Sequence, residues 1–196
     1  LAKRQQAPLK VKVAVSRDGG ETLAAQFSSH TPEVEGVKTT DEPAWKAKAM
    51  ESAYIPVKEM LAHAPGFLAT VAKRELAFED TYVDLIKRAY LPKLMGPTGP
   101  DRARLLKALE NAIDGKVVVE GEHFFLDNQQ GRLEFSLLAE GMRKLALVWL
   151  LIQNGTLLGG SILFWDEPEA NINPKLMGDL VEVLLELSRM GVQVVF

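Results

Sequence analysis

Asp166 and Glu167 are adjacent acids that follow four apolar residues, Ile162, Leu163, Phe164 and Trp165, and precede Pro168. A short apolar run bounded by turn residues reads as a buried strand. Neighbouring residues at a strand end send their side chains in different directions. One carboxylate can then hold Mg²⁺ through its waters while the other polarises an attacking water. Phosphoryl transfer to water asks side chains for those two roles and little else. Paired acids at a turn are also ordinary surface features, so the pair alone decides nothing. Strand ends of parallel sheets are, however, where α/β proteins bind phosphates and metals.

The elements around the acids sharpen this. About 25 residues upstream, Leu138, Ala139, Glu140, Gly141 and Met142 open a helix expected over 137–153. A small residue and a glycine at a helix start leave backbone N–H groups that a phosphate can approach closely; a glycine there also has a packing explanation. The helix is apolar nearly all round, so it must be buried, and Asn154-Gly155 stops it. Downstream of the acids, Glu169 to Asn173 form a polar loop, with Asn173 as helix cap and Pro174 at the first position. Leu176, Leu180, Val183, Leu184 and Leu187 make one stripe on that last helix. Burying each contributes about 1.5–3 kcal/mol, so packing rather than propensity holds it. Residues 192–196 read as a further buried strand; domains rarely end inside one, which predicts that the chain is a fragment of a longer protein.

The N-terminal part carries no evident chemistry. Residues 9–15 alternate apolar and polar, Asp18-Gly19-Gly20 is turn chemistry, and residues 22–27 return as the second strand of a hairpin. Residues 28–43 show little periodicity and read as loop. Residues 45–113 change to helical spacing, punctuated by Pro56, Pro65, Gly66 and the stretch from Pro92 to Pro100 into three or four short helices. The last begins at Asp101 as cap, with Leu105, Leu106, Leu109 and Ile113 on one face. Short strands are expected at 117–119, 123–126 and 133–135. The basic residues of the helical stretch, among them Lys73, Arg74, Arg102, Arg104 and Lys107, read as a solvated surface rather than a nucleic-acid footprint. The expected organisation is an N-terminal β-hairpin and loop (1–44), a helical lobe (45–115) and an α/β core (116–196).

Bulk properties bound the function. The 196 residues are 47% hydrophobic with a net charge of −3, which suits a packed core and leaves nucleic acid possible but unsupported by charge. Cysteine is absent, which removes thiolate and disulfide chemistry and agrees with a cytoplasmic setting. No apolar run approaches the roughly 18 residues of a membrane helix.

Taken in order, glycine-bearing helix start, buried helix, buried strand, Asp-Glu, polar loop and Pro-started helix resemble the ABC-type ATPase superfamily. The likeness is greatest to the AAA-type bacterial ATPases that include OLD-like nucleases, anti-phage ATPases and RecF/SMC-like proteins. It covers about 45–196 and is most specific over 136–196. The resemblance implies an α/β fold: a partial P-loop NTPase core, a mostly parallel sheet with flanking helices, beside the helical lobe and the hairpin. It implies ATP and Mg²⁺ as cofactors, Asp166 as the magnesium-site acid of a Walker B strand and Glu167 as the catalytic acid. Ala139, Glu140, Gly141 and Met142 stand at the signature sequence, and Asn171 and Asn173 lie in the D-loop, both as nucleotide-binding positions. It further implies a homodimer that sandwiches nucleotide, with an effector protein or nuclease as a further partner.

The chain departs from that pattern in places. No Gly-x-x-x-x-Gly-Lys-Ser/Thr occurs in it, so the resemblance implies that the 196 residues alone neither bind nor hydrolyse ATP appreciably. Ala139 replaces the usual signature serine and Glu140 the first glycine; a carboxylate there repels a γ-phosphate unless it points away. Around the Q-loop likeness of residues 54–59, Val57 stands where glutamine is expected, with Glu59 as the substitute. A non-hydrolysing regulatory or scaffold module is the alternative reading. A metal-dependent nuclease is disfavoured, because His30, His63 and His123 are scattered singly and no Asp-x-Asp pair accompanies Glu167 and Glu169.

Overall fold

The computed structural model describes residues 10–16, 22–28, 38–40, 50–74 and 79–196. The chain divides into two compact units, residues 1–49 and 50–196. In the first, strands β1 (Lys10–Ser16), β2 (Thr22–Ser28) and β3 (Lys38–Thr40) form an antiparallel sheet in that order. β1 and β2 pair from Lys10 opposite Ser28 to Ser16 opposite Thr22, the two strands expected of a hairpin. The expected turn at Asp18-Gly19-Gly20 lies outside the described residues. β3 corrects the reading of 28–43 as loop: Lys38 pairs with Gln26 and Thr40 with Ala24. Three polar residues show no alternation, so only the pairing reveals this strand.

The second unit opens with β4 (Ser52–Ile55), a 3-10 turn at Leu61–His63, and helices α1 (Phe67–Arg74), α2 (Asp80–Ala89) and α3 (Pro100–Ala112). An antiparallel meander follows: β5 (Lys116–Glu120), β6 (His123–Asn128) and β7 (Gly131–Glu134). A 3-10 turn at Phe135–Leu137 leads into α4 (Glu140–Gln153), then β8 (Ile162–Trp165), α5 (Met177–Arg189) and β9 (Gln193–Val195).

β4, β8 and β9 form a parallel sheet with β8 in the middle. The expectation of a mostly parallel core is corrected to this extent: one described sheet is parallel and the other two are antiparallel. Short connections between β5, β6 and β7 permit only antiparallel pairing, because parallel neighbours need a long crossover. β4 corrects the helical reading of 45–113. Ile55 precedes Pro56, which disfavours helix at that residue, and Ser52 to Ile55 run beside Ile162 to Trp165 in register.

The sheet is covered on one face by described residues of this unit. Ala53, Ile55, Leu163 and Trp165 are buried, whereas Tyr54, Phe164 and Val195, aligned in one row across the three strands, are exposed. β8 is therefore half-buried rather than buried on both faces. Phe164, itself apolar, hides the alternation in the sequence. β9 is an edge strand in the described sheet, preceded by the buried Val192 and followed by the exposed Phe196.

The core centres on α4, where Leu145 to Ile152 are all buried, as its all-round apolarity requires. α3 packs against α4 and α5, and presents Leu105, Leu109 and the following Ile113 to the interior. Its cap is Gly99 with Pro100 at the first position, not Asp101; proline there presets the helical φ. Arg102 is buried, donating from Nε to Ile152 O (3.2 Å) and from Nη2 to Gln153 O (2.6 Å). It thus satisfies carbonyls at the C-terminus of α4, where positive charge is favoured. This member of the supposed solvated basic surface is structural. Among the described residues no helix is long and apolar enough to cross a membrane.

Candidate functional site

The C-terminal end of β8 continues its ladder one step beyond the strand: the Asp166 amide donates to Ile55 O at 2.9 Å. Asp166 and Glu167 are then exposed at the sheet edge. The Tyr54 hydroxyl donates to Asp166 Oδ2 at 3.3 Å. Partial burial, then the Asp166 charge, push the Tyr54 phenol up, which keeps it a donor. The sequence places Tyr54 only within the Q-loop likeness; its contact with Asp166 follows from the parallel register that brings β4 beside β8.

After the acids the loop makes two left-handed steps with non-glycine residues, Glu167 at φ 43° and Asn171 at φ 62°. Such conformations are uncommon outside glycine and cost energy that contacts of the surrounding structure must offset. Within the loop, the Ala170 amide donates to Glu167 O at 2.9 Å and the Ile172 amide to Glu169 O at 3.1 Å. Asn173 Oδ1 accepts from the Lys175 amide at 3.0 Å, capping a 3-10 turn at Pro174–Leu176 that precedes α5. The expected cap is therefore correct, but it opens a 3-10 turn rather than the α-helix itself.

The start of α4 lies against this loop. A Cβ on Gly141 would stand 2.7 Å from Asn171 O and 2.9 Å from Ile172 Cα, both backbone atoms that cannot swing aside. The glycine is thus required for close packing of loop on helix. The Met142 and Arg143 amides are spent on Ala139 O, at 3.0 and 3.2 Å. Ala139, Gly141, Met142, Asn171 and Asn173 line one cleft of about 410 Å³, together with Ile172, Pro174 and Leu176. Five of the eight expected site residues are brought together there. Asp166 and Glu167 do not line it, and neither does Glu140, whose Oε1 faces the Glu59 amide at 3.4 Å.

Glu59 is buried and ion-paired: Oε2 accepts from Arg143 Nε, and Oε1 from the Leu61 amide. Burial pushes its carboxyl up, against the pull of Arg143 and the Leu61 N–H. Arg143 also donates to Leu138 O at 2.5 Å. This corrects Glu59 as a stand-in for the Q-loop glutamine, since its carboxylate is consumed in fastening the segment after β4 to α4. Lys144, the next residue, is fully buried with Nζ 2.8 Å from Ala170 O and 3.5 Å from Glu167 O. Burial holds the ammonium below its ordinary range, while Glu140, Glu169, Glu167 and Glu59 oppose that shift. A lysine one turn into an otherwise apolar buried helix was the available signal for this contact.

A middle strand of a parallel sheet that ends in two acids, beside a loop seated on a buried helix, is the place where α/β proteins put ligand sites. The family described as "AAA domain, putative AbiEii toxin, Type IV TA system" matches residues 16–196, and the chain belongs to it. That membership supports nucleotide binding of the AAA/P-loop NTPase kind. A comparison with curated proteins returns no match.

Proposed function

We propose that this chain is the part of an AAA-type ATPase that carries the acids for MgATP hydrolysis. The carrying observation is β8 as the middle strand of the parallel sheet, delivering Asp166 and Glu167 at its end. Among the described residues no group of three or more His, Cys, Asp or Glu could hold a metal unaided. The carboxylates at the end of β8, Asp166 and Glu167, fit Mg²⁺, which keeps several waters and takes its remaining ligands from nucleotide phosphates. Asp166 would hold the ion, which when bound neutralises charge on the phosphates. Glu167 orients the attacking water and takes its proton. Tyr54 holds Asp166 in place through its hydroxyl. The cleft lined by Ala139, Gly141, Met142, Asn171 and Asn173 is the surface that would meet a second copy across shared nucleotide. An effector protein or nuclease would be a further partner, as the resemblance to the ABC-type ATPases implies.

Glu167→Gln in the intact protein tests it. Removing the proton acceptor should lower ATP turnover by about 10²–10⁴-fold, with ATP retained unhydrolysed on the protein. Unchanged turnover would contradict hydrolysis by this acid, and absence of turnover in both proteins would favour the scaffold reading.

A further inference from the structure

Resting on the ATPase reading above, we propose that Lys144 is a positioning residue that sets the direction of the Glu167 carboxylate. Lys144 has no exposed surface, and every residue from Leu145 to Ile152 beside it on α4 is also buried. Isolating an ammonium from water is costly unless donors are matched. A leucine or methionine would pack in the same helix without that cost, so the charge is retained for the contacts it makes. Those contacts are two carbonyls of one loop, Ala170 O at 2.8 Å and Glu167 O at 3.5 Å.

The second carbonyl belongs to the acid itself. Glu167 sits at φ 43°, a conformation whose cost contacts of its surroundings must offset. Its oxygen is held from two sides, by the Ala170 amide at 2.9 Å within the loop and by Lys144 from the helix beneath. Gly141, three residues earlier and so on the same face of α4, admits the far end of that loop at Asn171 and Ile172. The loop is thus pinned at both ends to one helix face. Fixing the peptide plane that follows Glu167 fixes where its side chain leaves the backbone, and a misplacement of about 1 Å at a reacting group can cost about 10²-fold.

Steady-state ATP hydrolysis and ATP affinity are to be measured on the intact protein for Lys144→Met, Lys144→Arg, Glu167→Gln and the Met/Gln double variant. Lys144→Met is expected to lower kcat about 100-fold with KM within about threefold of the parent. Lys144→Arg, which keeps charge and donors on a larger head, should fall between parent and Met, again with KM unchanged. The double variant should be no slower than Glu167→Gln alone, because Lys144 acts only through that acid. Parental kcat in the Lys144 variants, a rise in KM matching the fall in kcat, or losses that multiply in the double variant would overturn the proposal. Should Lys144→Met not fold, Lys144→Arg decides on the same kcat and KM criteria. If Glu167→Gln leaves hydrolysis unchanged, the ATPase reading fails and this proposal with it. If Glu167→Gln abolishes hydrolysis while Lys144→Met does not, only the proposal fails.

Discussion

Gly141 shows how a single atom can be excluded by a loop. Asn171 O and Ile172 Cα stand 2.7 and 2.9 Å from where its Cβ would lie, so Gly141→Ala must displace backbone. Overpacking of this kind costs about 1–3 kcal/mol, and a thermal melt should register a drop of several degrees for a unit of this size. Gly178, in α5, provides the control: a Cβ there meets nothing within 4 Å. Gly178→Ala should instead raise stability by about 0.4–1 kcal/mol, since it restricts only the unfolded chain. Glu140 teaches the same lesson in charge. The Glu140 carboxylate, at the start of α4, turns toward the Glu59 amide and does not line the cleft beside Gly141. Neither fact is legible in sequence, because both depend on which distant segment is seated against α4.

At the scale of elements, α4 and its neighbours are joined by buried charge. Arg143 links α4 to Glu59 in the segment after β4, with both side chains largely out of water. Removing one partner of such a pair leaves an uncompensated charge, and Arg143→Met should cost about 3–5 kcal/mol in chemical denaturation. Replacing Glu59 by Leu as well should recover part of that loss, since no charge is left unpaired, although the Leu61 amide and the Leu138 carbonyl lose these partners. α3 and α5 are joined by Arg104 and Glu186, 2.6 Å apart, with Arg189 on the same carboxyl. Hydrogen bonds from Arg104 and Arg189 hold the Glu186 carboxyl below its ordinary 4.5. A carboxyl lowered in the folded state contributes stability above its unfolded value and loses it as pH falls through the folded one. Acid titration below about pH 4.5 should therefore weaken this joint, and Glu186→Gln should flatten that limb of the curve. α4 and α5 are legible in the sequence because their long apolar patterns leave one reading, whereas β8, four apolar residues, is legible as a strand but not as half-buried. β4 is not legible, for its four residues include serine and alanine and its identity comes from lying beside β8.

For the whole molecule, the sequence reached the order of parts around the acids but overstated the parallel sheet. Among the described residues three strands are parallel, and the two antiparallel sheets come from segments whose connections are too short for a parallel crossover. Five expected site residues share one cleft, whereas the contacts of Tyr54 and Lys144 with Asp166 and the loop behind it emerge only from tertiary pairing. A row of exposed side chains, Tyr54, Phe164 and Val195, marks the sheet face opposite the helices. Tyr54 on that row also reaches Asp166, so substituting it should affect metal binding more than stability: Tyr54→Phe should weaken Mg²⁺ affinity about 10–100-fold, as loss of an orienting hydrogen bond does, with the melting temperature little changed.

In the proposed ATPase, β8 holds Asp166 beside a nucleotide-bound metal. Binding of Mn²⁺ with ATP to the intact protein, read by electron paramagnetic resonance, addresses it most directly. Asp166→Asn should loosen Mn²⁺ by at least about 10–100-fold in the presence of ATP while metal-free ATP affinity stays near that of the parent; equal Mn²⁺ affinity in the two proteins would contradict the claim.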